Sequence, residues 1–315
     1  MGGMNRRTLL KTGLAASAAS LFSGTSAGAA IDSARRPGGG DPRKDFQMAY
    51  APHFGMFKHS GGSDLVAQLE WAREQGFTAW EDNSMTRRSI ADQERVATAL
   101  QRLGMQMGVF VANFGTAFGK ESFSTGDAKH VESFVKDLEK SVEVAKRVGA
   151  KWMTIVLGDQ NPRARQGTQD ATAIEMLKRG AEVFEPHGLV MVMEPLNFLN
   201  HPGMYLERSD HAYMLCKAVD SPAVKILFDI YHQQIAEGNL IPNIKRFWDE
   251  IAYFQIGDNP GRNEPTTGEI NYRNVFKTIH GKGFKGVLGM EHGNSRGGGE
   301  GEIAVVQAYR ESDSF

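Results

Sequence analysis

Eight short apolar runs, each followed by a longer stretch of helical periodicity, constrain this 315-residue chain more than any other feature. The runs fall at 46–51, 77–81, 106–112, 152–157, 190–195, 225–230, 253–256 and 287–291. Rich in Val, Ile, Met and Phe and mostly too short for helices, they are expected to be strands. Between them apolar residues recur every three or four positions. Leu65, Leu69 and Ala72 form one such stripe, and Val131, Val135, Leu138, Val142 and Ala145 form another. Gly76, Gly104, Gly149, Gly188 and Gly283 stand where a left-handed residue closes a helix. Pro222 separates the helix ending near Val219 from the strand that follows. Eight strand–helix pairs in series predict an α/β chain folded as a single-domain (β/α)8 TIM barrel. A doubly wound sheet would carry G-x-G-x-x-G after its first strand, and Ala51-Pro52-His53-Phe54-Gly55 has no such pattern.

The first 40 residues hold Arg6, Arg7, Lys11, Arg35 and Arg36 against one acid, Asp32. This +4 segment lies within a chain of net charge −1, so the remainder carries −5. Arg6-Arg7-Thr8-Leu9-Leu10-Lys11, an Ala- and Ser-rich apolar stretch and Ala27-Gly28-Ala29 follow the order of an export leader. The arginine pair resembles the twin-arginine signal, so residues 1–30 are expected to be a leader read by the twin-arginine export machinery. Residues 31–44, with Pro37-Gly38-Gly39-Gly40-Asp41-Pro42, are expected to be a flexible linker, and 45–315 the catalytic barrel. Export by this route would place the protein in the periplasm or outside the cell. A near-neutral total argues against a general nucleic-acid binder. One Cys excludes an internal disulfide framework and a Cys-rich zinc module. No run of 18 or more apolar residues implies stable membrane insertion. A homo-oligomer is compatible with the sequence.

In barrels of this kind chemistry gathers at the C-terminal ends of the strands. Four consecutive runs end on polar residues: Met193-Glu194-Pro195-Leu196-Asn197, Phe228-Asp229-Ile230-Tyr231-His232, Phe254-Gln255-Ile256-Gly257-Asp258 and Met290-Glu291-His292. Glu194, Asp229, Gln255 and Glu291 make an oxygen-rich set expected at one height on the rim. Three carboxylates placed together would repel one another without a cation. One divalent ion, Mg²⁺ or Mn²⁺, suits such donors.

The stretch from Phe254-Gln255-Ile256-Gly257-Asp258-Asn259-Pro260-Gly261-Arg262 to Glu269-Ile270-Asn271-Tyr272 closely resembles the signature of hydroxypyruvate isomerases. These are xylose-isomerase-like sugar isomerases and epimerases. Glu194-Pro195-Leu196-Asn197, Asp229-x-x-His232 and Glu291 match that superfamily too. The resemblance implies a divalent metal held by Glu194, Asp229, Gln255 and Glu291, with Glu194 and Glu291 also acting as the acid/base pair. It implies that His232 and Arg262 contact substrate oxygens. Asn197 and His53, just past the first strand, complete the candidate substrate-binding residues.

The implied activity is a metal-dependent isomerisation of a small hydroxycarbonyl compound or sugar. Aldose and ketose would interconvert by carboxylate proton transfer through an enediolate. A ketose or keto-sugar 3-epimerase, or a keto-glycoside lyase, would begin with the same proton abstraction. An exported sugar-binding barrel without turnover is the rival from another class, and the presence of both Glu194 and Glu291 speaks against it.

Overall fold

The computed structural model describes residues 45–315; the expected leader and linker lie outside the described residues. Eight parallel strands occur among them: β1 (Ala49–Ala51), β2 (Ala79–Trp80), β3 (Gln106–Met107), β4 (Trp152–Ile155), β5 (Val190–Met193), β6 (Val224–Asp229), β7 (Ile251–Gln255) and β8 (Val287–Gly289). All eight expected runs are present, most of them shorter than predicted. The ends of the predicted runs leave the ladder where they turn into rim loops.

Six strands form one sheet in the order β1-β8-β7-β6-β5-β4, and β2 pairs with β3. Isolated bridges His53–Glu81 and Val111–Thr154 join the two sheets. The second seam is tied by Ala112 N–H to Thr154 O at 3.1 Å and Thr154 N–H to Phe110 O at 2.9 Å. The ring of strands is thereby closed into the expected barrel.

The main helices are α1 (Leu65–Glu74), α2 (Ile90–Leu103), α3 (Ser122–Thr125), α4 (Ala128–Val148), α5 (Gln166–Phe184), α6 (Ser209–Val219), α7 (Ile230–Ala236), α8 (Leu240–Arg246), α9 (Tyr272–Gly281) and α10 (Gly298–Ser312). Their ends follow local chemistry. The Asp64 carboxylate caps α1 by accepting from the N–H groups of Val66 and Ala67, and the Ser89 hydroxyl accepts from Asp92 N–H at the start of α2. Such a cap contributes about 1 kcal/mol. Gly104 and Gly149 close α2 and α4 with φ of 64° and 69°, a region glycine enters without the penalty a Cβ imposes.

Side chains alternate along a strand, so each strand sends one set inward and one toward the helices. Inside the barrel, Ala51, Ala79, Val109, Val192, Leu227, Tyr253 and Val287 form an apolar layer drawn from six strands and the segment just after β3. Between barrel and helices lies the larger core, including Phe77, Phe134, Met191, Phe228 and Tyr309. Counting two residues on from the inner layer gives Glu81, Glu194, Asp229, Gln255 and Gly289. The apolar layer is therefore the floor on which the polar strand ends stand.

Candidate active site

Register pairs Asp229 with Gln255 and Gln255 with Gly289. Glu291 stands two residues beyond Gly289 on β8, so the four expected ligands span more than one register step rather than a single height. One ligand atom from each of Glu194, Asp229, His232 and Glu291 lies within 4.8 Å of the others. Three of the four predicted ligands thus converge, together with His232.

Asp229 ends β6 and caps α7 without an intervening loop. Its Oδ1 accepts from the N–H groups of Tyr231 at 2.8 Å and His232 at 3.2 Å. This cap sets His232 in the first turn of α7, which is why the Asp-x-x-His spacing delivers both side chains to one place. Oδ2 of Asp229 takes Nη2 of Arg262 at 3.2 Å. The same guanidinium pairs with the Glu291 carboxylate and donates Nε–H to the Glu291 main-chain oxygen at 3.1 Å.

Arg262 is held there by the loop between β7 and α9. The buried Asp258 carboxylate accepts from the N–H groups of Asn259, Gly268 and Ile270, folding the signature stretch back on itself. Gly257 has its Cα against Arg262 and Tyr231; a Cβ would lie 3.0 Å from Arg262 Cγ. Arg262 also lies over the Tyr231 ring at 4.9 Å. Glu264 accepts from Ser295 N–H at 2.9 Å, tying this loop to the one after β8.

Glu81, absent from the sequence-based set, enters the site from β2. Its Oε1 accepts from Gln255 Nε2 at 2.9 Å and its Oε2 from the Tyr253 hydroxyl at 2.8 Å. It lies across Gly289, where a Cβ would collide with its carboxylate. Asn83, two residues on, donates Nδ2 to Glu291 Oε1 at 2.7 Å. The signal for both was present in the sequence, since Glu81 closes the second apolar run two residues after Ala79. It was obscured by the polar trio Glu81-Asp82-Asn83. Asp82 turns away and pairs with Arg88.

The remaining predicted residues divide. Asn197 is fully buried and its side chain is engaged with His232, Asn200 and loop N–H groups, away from the open face. The His53 ring nitrogens face the main-chain oxygens of Phe54 and His292, at 3.1 and 3.2 Å. His53 lines a separate cavity of about 250 Å³ with Lys58 and Arg296 rather than joining the acid cluster.

The electrostatics of the cluster are strained. Burial, then the charges of Glu291 and Asp229, push the Glu194 carboxyl well above the usual carboxylate range. Glu291 and Glu81 are also raised, desolvation being the first cause for each. Arg262 pairs with two of the acids, Asp229 and Glu291.

A divalent cation fits this set on two counts. It answers the surplus of negative charge, and Gln255 Oε1 is buried with no hydrogen-bond partner among the described residues. An amide oxygen left unpaired beside three carboxylates is a hard-cation donor set.

Over residues 69–312 the sequence matches the family described as the xylose isomerase-like TIM barrel. The chain belongs to that family. Among curated relatives, a hydroxypyruvate isomerase of Escherichia coli (strain K12) is 33% identical over 162 residues, 51% of this chain and 62% of that protein. A 2-oxo-tetronate isomerase of Cupriavidus necator is 32% identical over 170 residues, 54% of this chain and 65% of that protein. The alignments thus span less than two thirds of these relatives' own lengths.

Solved structures share the fold at lower identity. An AP endonuclease, family 2, from Brucella melitensis superposes with a TM-score of 0.70 at 24% identity, covering 84% of this chain and 99% of that one. A 3-keto-D-glucoside 4-epimerase from E. coli does so at 0.65 and 18%, covering 84% and 97%. No described helix is long and apolar enough to cross a membrane.

Proposed function

We propose that the protein is a metal-dependent isomerase of a small hydroxycarbonyl compound, of the hydroxypyruvate isomerase type. The observation that carries this reading is the convergence of Glu194 and Glu291, two acids with raised pKa, beside Asp229 and the unpaired oxygen of Gln255. The relatives named as isomerases of hydroxypyruvate and 2-oxo-tetronate support it.

Glu194, Asp229, Gln255 and Glu291 would hold the ion, Mg²⁺ or Mn²⁺ by the hardness of the donors. When bound, such an ion polarises a carbonyl and orients neighbouring oxygens. The chain's own groups do the rest. One of Glu194 and Glu291 takes the proton from the carbon bearing the hydroxyl. The other, protonated, delivers a proton to the former carbonyl carbon, while the hydroxyl proton passes between the two substrate oxygens. Burial raises both carboxyls above the ordinary carboxylate range, Glu291 to about 7, which favours proton exchange with a carbon acid. Arg262 donates toward developing negative charge on oxygen.

A substrate panel in D₂O with Mn²⁺, covering hydroxypyruvate, ketoses and 3-keto-sugars, tests this reading. Deuterium incorporation with carbonyl migration is expected for a hydroxy-keto acid or sugar. Incorporation with inversion alone moves the assignment to an epimerase, and loss of a leaving group moves it to a lyase. No incorporation into any member overturns it.

We further propose export by the twin-arginine route, on the leader pattern at residues 1–30. Cell fractionation of the full chain and of R6K/R7K tests this. Periplasmic accumulation of the parent alone is expected, and equal distribution of the two would refute it.

A further inference from the structure

Asn197 reaches the His232 ring twice, and both contacts fall on the same atom. Its main-chain N–H donates to Nδ1 at 3.2 Å, and its side-chain Nδ2 lies 2.6 Å from that nitrogen. The orientation of the amide is fixed independently. Its Oδ1 accepts from the main-chain N–H groups of Leu199 at 3.1 Å and Asn200 at 3.0 Å. Only the NH₂ is left to face the ring.

A ring nitrogen that accepts from two N–H donors carries no proton. With Nδ1 occupied as an acceptor on both counts, the imidazole can carry its proton only on its other nitrogen. That proton is on Nε2. Nε2 is itself buried without a hydrogen-bond partner among the described residues, 3.7 Å from Asp229 Oδ2 and 3.8 Å from Glu194 Oε1. The donor therefore points into the acid cluster and is left free for an oxygen atom brought there.

The other tautomer would turn a lone pair on the same carboxylates. Asp229, Glu194, Glu291 and His232 would then form a mixed nitrogen–oxygen ligand set. Imidazole nitrogen favours zinc and later transition ions, whereas carboxylate and amide oxygens suit magnesium and manganese.

We propose that Asn197 is a positioning residue that locks His232 as an N–H donor and thereby keeps it out of the metal's ligand set. The consequence for metal choice rests on the metal-site reading above; the tautomer does not.

Asn197→Asp is the decisive variant. It is isosteric, keeps the oxygen that binds Leu199 and Asn200, and replaces the NH₂ donor by an acceptor. Nitrogen-15 NMR of histidine-labelled, chelator-treated protein reads the tautomer, with the His232 signal identified by its absence in H232Q. The wild type is expected to carry its proton on Nε2, and N197D on Nδ1. Wild type protonated on Nδ1, or an N197D ring unchanged from wild type, overturns the proposal. Should N197D fail to fold, Asn197→Ala keeps only the main-chain donor. A mixed tautomer population is then expected, and an unchanged one overturns the proposal.

The second readout is metal preference. The ratio of Zn²⁺ to Mg²⁺ affinity should rise roughly tenfold or more in N197D, the scale on which partners of metal-bound histidines act. The rise should vanish in N197D/H232Q. An N197D ring that moves its proton without changing the ratio refutes the ligand-exclusion half. A wild type that is inactive on every substrate but holds Nε2–H refutes the isomerase reading alone.

Discussion

The Gln255 side chain donates its Nε2–H to Oε1 of Glu81 at 2.9 Å, and the amide oxygen on the other side has no donor among the described residues. Glu81 thus decides which end of the amide faces the acids. Glu81→Gln supplies an NH₂ where an acceptor stood, so Gln255 can turn its nitrogen inward. Affinity for Mn²⁺, measured by titration of chelator-treated protein, should fall ten- to a hundredfold. E81Q/Q255E restores an oxygen whichever way the side chain turns and should recover most of the loss. An E81Q protein that binds Mn²⁺ like the wild type removes Glu81 from this role.

Gly289 is where Glu81 crosses β8, and a Cβ there would collide with the carboxylate. Gly289→Ala should destabilise the fold by about 1–3 kcal/mol through overpacking. It should also weaken Mn²⁺ binding as E81Q does. Denaturant melts and metal titration of the same sample check both; a stable G289A with full metal affinity contradicts the packing seen here.

Glu194→Gln and Glu291→Gln each remove one proton carrier while keeping shape. Solvent deuterium exchange into substrate should drop by about 10²- to 10⁴-fold in either variant. The circular dichroism spectrum should be unchanged. Undiminished exchange in both would end the two-carboxylate mechanism.

Burial raises the Glu291 carboxyl to about 7 and the Glu81 carboxyl to about 8, from an ordinary value of 4.5. The native state therefore keeps protons that the unfolded chain releases. Stability from these groups is complete below the unfolded value and is lost as pH rises through about 7 and about 8. Chelator-treated protein should lose Tm between about pH 5 and pH 8.5, and E81Q should flatten the upper part of that decline. Parallel Tm curves for the two proteins would show that Glu81 does not titrate in this window.

Arg262 links Asp229 and Glu291 with one guanidinium. Arg262→Ala removes a positive charge from the cluster, so Mn²⁺ should bind more tightly while turnover falls. Isothermal titration and initial rates, read together, separate this from a folding defect, which would lower both.

The barrel was legible because its evidence is repetitive. Eight apolar runs and the glycines after α2 and α4 each report the same alternation. Asp229, Gln255, Glu194 and Glu291 were legible because each interrupts or closes an apolar run at the end where the helix side begins. Glu81 was not, since β2 pairs over only two residues and three polar residues follow it. Asn197 was read as a candidate substrate contact, and its side chain is engaged with His232, Asn200 and loop N–H groups. A sequence says that an amide stands near a strand end; only the positions of Leu199 and Asn200 say which way it faces.

Residue 229 belongs at once to a strand and to a helix, with nothing between them. No insertion can be accommodated at that joint without separating the carboxylate from the histidine one turn later. The length of the chain at the β6–α7 junction is thus fixed by the pair of side chains it has to deliver.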